Sequence, residues 1–133
     1  MKLISNADKE AFSRRIGSPV LTETLLDFYG MIAERLGERI DRVEILEDKA
    51  IMLFDGEREI IRINVGKRNH RIYIHPPSGA LFDPDDEFAV EKINLWPSAF
   101  RKTSGKFRGM SFWISRPEHL RGAREIIDRI PKS

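Results

Sequence analysis

Residues 57–77, EREIIRINVGKRNHRIYIHPP, hold the side chains best suited to bind a ligand. Apolar and polar residues alternate over 59–65 and again over 70–75, which predicts two β-strands that each have one apolar and one polar face. The intervening residues 66–69 predict the turn of an antiparallel hairpin. The polar face and the tip of this hairpin would carry Arg62, Arg71, Tyr73, His75, Lys67 and Arg68. Cationic and aromatic groups together bind phosphates and stack on bases.

A second basic stretch lies in residues 101–108, which contain no acidic residue. Its cations are Arg101, Lys102, Lys106 and Arg108. Residues 83–91 have the opposite character, with five carboxylates and no base, although the formal net charge is only +2. We therefore predict a bipolar surface. On it, the hairpin tip and the 101–108 loop would act as one anion-binding surface, with Tyr73 or Trp113 as a stacking ring.

Patterns that indicate catalysis or metal binding are weak. His70 and His75 are five residues apart on one strand, so they fall on opposite faces and do not share a metal. The carboxylates of 83–86 lack the calcium-loop pattern, and a helix start explains them better. Glu47 and Lys49 have the E-x-K spacing of metal-dependent nucleases, but they fall where a hairpin must turn. Because no phosphate loop, nucleophile elbow or dinucleotide fingerprint occurs, we predict no catalytic residue, no metal ligand and no cofactor.

Composition favours a single soluble domain spanning residues 1–133. The chain has no cysteine, which excludes thiol catalysis and disulfides and suits a reducing cytoplasm. No apolar run approaches the roughly 20 residues of a membrane span, and the N-terminus lacks the apolar segment of a signal peptide. We therefore expect a cytoplasmic protein with no membrane partner.

Two N-terminal helices precede the strands. Residues 5–6 predict the start of a helix that ends at Gly17, and Ser18 followed by proline predicts the start of the next. Gly37 predicts a left-handed residue that ends this second helix. The apolar stripe of the second helix consists of Leu21, Leu25, Phe28, Ile32 and Leu36.

Strand patterns dominate the middle of the chain. A four-strand antiparallel meander is predicted over 42–47, 50–54, 57–65 and 70–75, and a fifth strand over 110–115. Between them we predict a short helix with an acidic start over 83–93 and a loop with a mobile centre over 94–109.

A C-terminal helix closes the predicted order of elements. Ser115 and Glu118 have the capping-box spacing, and Pro131 ends the helix. His119 falls in its first turn, where we expect a solvated polar side chain. The inward stripe would consist of Leu120, Ala123, Ile127 and Ile130.

The predicted fold class is α+β, a two-layer domain in which an antiparallel sheet of about five strands is covered on one face by an N-terminal and a C-terminal helix. The long helix, the meander and the ending GMSFWISRPEHLRGAREIIDRI resemble the small prokaryotic MmcQ/YjbR-like domains over about residues 20–130. This resemblance implies the two-layer architecture of secretion chaperones and a suggested role in nucleic-acid binding. It implies no functional residue at any position of this chain.

Three functions remain open from the sequence. The first is a small non-enzymatic module that binds nucleic acid or another phosphorylated ligand on the polar sheet face. The second is a protein-interaction or chaperone-like homodimer, in which that face or Trp96, Phe100 and Phe107 bury against a partner. The third is a metal-dependent nuclease. Salt separates the first two, because phosphate binding weakens steeply with salt and an apolar interface does not.

Overall fold

A computed structural model describes residues 1–75, 101–103 and 107–132, with the backbone alone described for 101–103 and 107–110. Within these residues, the helices are α1 (Asn6–Ile16), α2 (Pro19–Leu36) and α3 (His119–Ile127). The strands are β1 (Arg42–Leu46), β2 (Ala50–Asp55), β3 (Arg58–Val65), β4 (His70–Ile74), β5 (Arg101–Thr103) and β6 (Phe107–Ile114). None of the described helices is long and apolar enough to cross a membrane.

The strands form one antiparallel sheet in the order β1-β2-β3-β4-β6-β5. The predicted meander is confirmed as β1 to β4, and Val65 pairs with His70 across the β3–β4 turn. Strand β6 then pairs with β4, with Trp113 opposite Arg71. The predicted α+β class, with N-terminal and C-terminal helices on an antiparallel sheet, is confirmed.

The core lies between the helices and one face of this sheet. Leu25, Phe28 and Ile32 of α2 are fully buried, because their spacing places them on the side of the helix that meets the strands. The ring of Phe28 meets that of Phe112 edge-on, with centroids 6.2 Å apart and an interplanar angle of 83°. The second helix is therefore a core element that covers the sheet.

Helix caps explain where α1 and α2 begin. The Ser5 hydroxyl accepts the N–H of Asp8, and the Ser18 hydroxyl accepts the N–H of Leu21 at 3.2 Å. Gly17 ends α1 with φ +68°, a left-handed conformation that glycine adopts without strain. These predicted caps are confirmed.

The predicted left-handed end of α2 is wrong. Gly37 has φ −59° and ψ −33°, which is right-handed. The chain continues in the helical sense for one more turn, because the N–H of Ile40 donates to the carbonyl of Leu36 at 2.9 Å.

The start of the last helix also differs from the prediction. Helix α3 begins at His119, and Glu118 forms no side-chain cap. Instead, the N–H of Ser115 donates to Nδ1 of His119 at 3.1 Å, so the imidazole takes the place of the expected capping box. His119 is buried, contrary to the solvated side chain that we expected. Ile130 is buried as predicted, although α3 ends at Ile127.

Strand β5 departs from the predicted order of elements. Residues 101–103 were expected in a loop, but they pair with β6, with Lys102 opposite Arg108. The predicted short helix over 83–93 and the residues Trp96, Phe100 and Lys106 lie outside the described residues, as do 104 and 105 at the centre of the expected loop.

Candidate functional site

Four of the predicted ligand-binding residues share the face of the sheet that is turned away from the helices, which we call the outer face. Arg71 and Tyr73 alternate with core residues of β4, and Arg62 lies opposite Tyr73 on β3. His75 directly follows β4, and its N–H donates to the carbonyl of Ile60 at 2.9 Å, which extends the ladder by one residue. The alternation in the sequence therefore predicted this grouping correctly.

Arg71 lies between two aromatic rings on the outer face. Its guanidinium carbon is 5.1 Å from the ring centroid of Tyr73 and 5.1 Å from that of Trp113. A guanidinium at this distance is attracted to the negative faces of the rings. Arg71 forms no ion pair with a carboxylate in the described part of the chain. Within the described residues, its positive charge is therefore held in place without being neutralised by an acid.

Arg62 differs because it is paired with Glu59. Its Nε and Nη2 donate to the two carboxylate oxygens at 2.6 Å and 2.9 Å, a bidentate contact. This hydrogen bonding is the main reason that the pKa of Arg62 is raised. The positive charge of Arg62 is thus offset within the chain, and the arginine is a weaker ligand for phosphate than its sequence position suggested.

A β-bulge brings Glu59 to the outer face. Phe54 pairs with Glu59 and Leu53 pairs with Ile61, so Ile60 is the extra residue in β3. Strict alternation from Ile61 would have placed Glu59 on the core side. Alternation alone therefore does not indicate Glu59, and the signal that could have found it is the acid three residues before Arg62.

His75 lies beside this ion pair. Its Nε2 is 3.6 Å from Oε1 of Glu59, and its ring stacks on that of Tyr73, with centroids 6.3 Å apart and an interplanar angle of 13°. Burial lowers the pKa of His75, the nearby Glu59 raises it, and Arg62 lowers it further. The imidazole is therefore neutral at pH 7 and adds no charge to the outer face.

The tip of the β3–β4 hairpin adds two cations next to Arg71. Lys67 and Arg68 are exposed, and neither forms an ion pair in the described ranges. Because His70 pairs with Val65 at the base of the tip, Arg71 is the first residue of β4 on the outer face. We call the group of Lys67, Arg68, Arg71, Tyr73 and Trp113 the basic end of the outer face.

The second basic stretch lies at the other end of the sheet. His70, next to the hairpin tip, pairs with Ile114, and Arg108 lies six residues from Ile114 along β6. At about 3.4 Å per residue this separation is about 20 Å. The two basic stretches are therefore separated along the sheet, and their action as one anion-binding surface stays a prediction. Arg101, Lys102 and Arg108 belong to the β5–β6 hairpin instead.

The other two histidines, His70 and His119, are buried and form hydrogen bonds within the fold. His70 is 1% exposed on the core side of β4, and its Nε2 lies 3.1 Å from the carbonyl oxygen of Leu21. It therefore lies on the opposite side of the sheet from His75, as predicted. Burial lowers the pKa of His119, and Arg116 lowers it further. Both imidazoles are neutral near pH 7 and have hydrogen-bonding roles.

No described residues assemble a metal site. The described part of the chain contains no group of three or more His, Asp or Glu side chains that could hold an ion. Glu47 and Lys49 lie in the β1–β2 turn, with side chains 73% and 58% exposed, and Glu47 has a positive φ of 52°. Their N–O distance of 3.7 Å is that of a solvated turn pair.

Comparisons with known proteins found no match for this chain. No protein-family model matches the chain, and no curated protein and no solved structure matches it either. The resemblance to the MmcQ/YjbR-like domains stays a prediction.

Proposed function

We propose that the protein binds nucleic acid, or another phosphorylated ligand, at the basic end of the outer face. In this proposal it acts in the cytoplasm as a binding module and not as an enzyme. The observation that carries the proposal is the position of Arg71, between the rings of Tyr73 and Trp113 and without a carboxylate partner among the described residues. A cation fixed beside two rings suits a ligand that has both a phosphate and a flat base.

Ion pairing on strands β1 to β4 supports the tip end of the outer face as the site. Glu59 already offsets Arg62, and Arg42 lies 3.1 Å from Glu44, so those arginines are matched within the chain. Lys67, Arg68 and Arg71 bring three positive charges to the basic end. Each phosphate that they neutralise would release counterions, so affinity should fall as salt rises. Stacking on an aromatic ring adds about 1–3 kcal/mol per base.

The test is a binding titration with a labelled single-stranded oligonucleotide at several salt concentrations, read by fluorescence anisotropy. Replacing both Lys67 and Arg68 with alanine should weaken binding and flatten the plot of log affinity against log salt by about 0.7 per lost contact for a single strand. Stability should change by less than about 0.5 kcal/mol, since these side chains are exposed and away from caps and the core.

Arg58→Ala is the matched control. Arg58 is also an exposed cation, and it lies at the opposite end of β3 from the hairpin tip. Its removal lowers the net charge by one but leaves the basic end intact, so the salt slope should stay at the wild-type value. A loss in the control of about half the loss in the double variant would mean that binding follows total charge and not this site, because the control removes one positive charge and the double variant removes two. No binding at low salt would refute the proposal.

A further inference from the structure

A groove of about 600 Å³ runs between α2 and α3, on the opposite side of the molecule from the outer face. Leu26 and Gly30 of α2 and Leu120 of α3 lie along it. Leu26 and Gly30 also border a depression of about 510 Å³ next to α1. The exposed side of α2 therefore has two recesses that meet at Gly30.

Close packing among the described residues does not explain the glycine at position 30. It lies in the interior of an 18-residue helix, where glycine is less stable than alanine. A Cβ built at this position would have no atom within 4 Å, so the fold leaves open space beside this glycine. The glycine weakens the helix and keeps the groove open, which is the arrangement that a second helix needs for close approach.

The two walls of the groove carry opposite charges. Asp27 and Glu34 lie on the α2 wall, and Arg121 and Arg124 lie on the α3 wall. All four are exposed. Glu34 and Arg124 approach across the groove at 3.8 Å, with side chains 73% and 50% exposed, which is a solvated pair that contributes little to stability. Each wall can therefore pair with a partner of the opposite charge.

We propose that a second copy of this chain fills the groove and forms a two-fold symmetric dimer. A two-fold axis along the groove places α2 of each copy over α3 of the other. Asp27 and Glu34 of one copy then meet the two arginines of its partner, and the same contacts repeat on the other side of the axis, as an isologous interface requires. The acidic α2 wall disfavours a polyanion here, so this surface is separate from the proposed ligand site.

Charge reversal tests this arrangement. Two variants are made, Asp27→Lys with Glu34→Lys, and Arg121→Glu with Arg124→Glu. In the first variant both walls are positive, and in the second both are negative. We expect each variant alone to have the mass of one chain, 15.4 kDa, by sedimentation equilibrium, while the wild type has the mass of two. An equimolar mixture of the variants should recover the mass of two chains, because each positive wall then meets a negative one.

Gly30→Gln provides a second test that does not depend on charge. Glutamine is a better helix former than glycine, so the variant should unfold at an equal or higher temperature than the wild type when both are dilute enough to be single chains. Its side chain fills the groove and should reduce the mass to one chain at the concentrations where the wild type is a dimer. A wild type that stays at 15.4 kDa at concentrations up to about 1 mM would overturn the proposal. So would a dimer that all three variants leave intact. Recovery in the mixture would show that the variants are folded.

Discussion

His70 should make the protein less stable in mild acid. Its imidazole is 1% exposed in the core, and Nε2 donates to the carbonyl oxygen of Leu21, which leaves Nδ1 without a proton. Burial lowers the pKa of His70 below its ordinary value of 6.5, and the bond to Leu21 offsets this only in part. Below pH 6.5 the unfolded chain therefore binds more protons than the folded chain, and stability falls as the pH falls.

Protonation of His70 in the unfolded chain sets an upper limit to this loss of stability. If His70 stays neutral in the folded protein down to pH 5.5, protonation of the unfolded chain favours unfolding by at most about 1.4 kcal/mol at pH 5.5 and by about 0.1 kcal/mol at pH 7.5. Acidification over this range should therefore cost up to about 1.3 kcal/mol through His70.

The assay compares wild type with His70→Gln by urea denaturation at pH 7.5 and pH 5.5, at constant ionic strength. Glutamine keeps an amide N–H that can donate to the Leu21 carbonyl but does not titrate. The variant should lose less stability on acidification than the wild type, by up to about 1.3 kcal/mol. The difference between the two losses removes the contributions of His75 and His119, whose pKa values are also lowered. Equal losses in both proteins would refute the explanation.

Three other changes have expected results. Leu25→Ala and Phe28→Ala should each lower the free energy of unfolding by about 2–5 kcal/mol, and unchanged melting temperatures would show that α2 is not a core element. Gly17→Ala should lower the free energy of unfolding by about 1–2 kcal/mol, because alanine is strained at φ +68°. No atom lies within 4 Å of the new Cβ, so a steric clash does not add to this loss. A smaller loss in urea denaturation would argue against a left-handed conformation at the end of α1. Glu59→Gln should remove the carboxylate that pairs with Arg62 and raise the affinity for an oligonucleotide in the anisotropy titration. An unchanged affinity would contradict the statement that Glu59 offsets the positive charge of Arg62.

Much of the fold could be predicted because local rules agree with the tertiary structure. The serine caps, the apolar stripe of α2 and the alternation in β3 and β4 each depend on neighbours within a few residues, and the structure follows them. Where the start of α3 differs, a tertiary contact decides: His119 is buried and its Nδ1 accepts the N–H of Ser115. Helix propensities do not indicate that His119, two residues after Pro117, is buried.

The candidate site was predicted in part for the same reasons. Alternation placed Arg71 and Tyr73 on one face of β4, but a bulge of one residue brought Glu59 beside Arg62, and periodicity cannot locate a bulge. We predicted that the hairpin tip and residues 101–108 lie side by side, which would require the start of β6 to pair with His70. That register is a long-range property, and it places the two basic stretches at opposite ends of the sheet.

Chemical-shift mapping with a short single-stranded oligonucleotide tests the proposed ligand site most directly. The backbone amides of the ¹⁵N-labelled protein are followed at low salt as the oligonucleotide is added. We expect the largest changes at residues 67–73 and 111–113, which contain the basic end, and small changes in α2 and α3. These changes should diminish as salt is raised, because phosphate contacts release counterions. An unchanged spectrum at low salt, or changes confined to the helices, would contradict the proposed site.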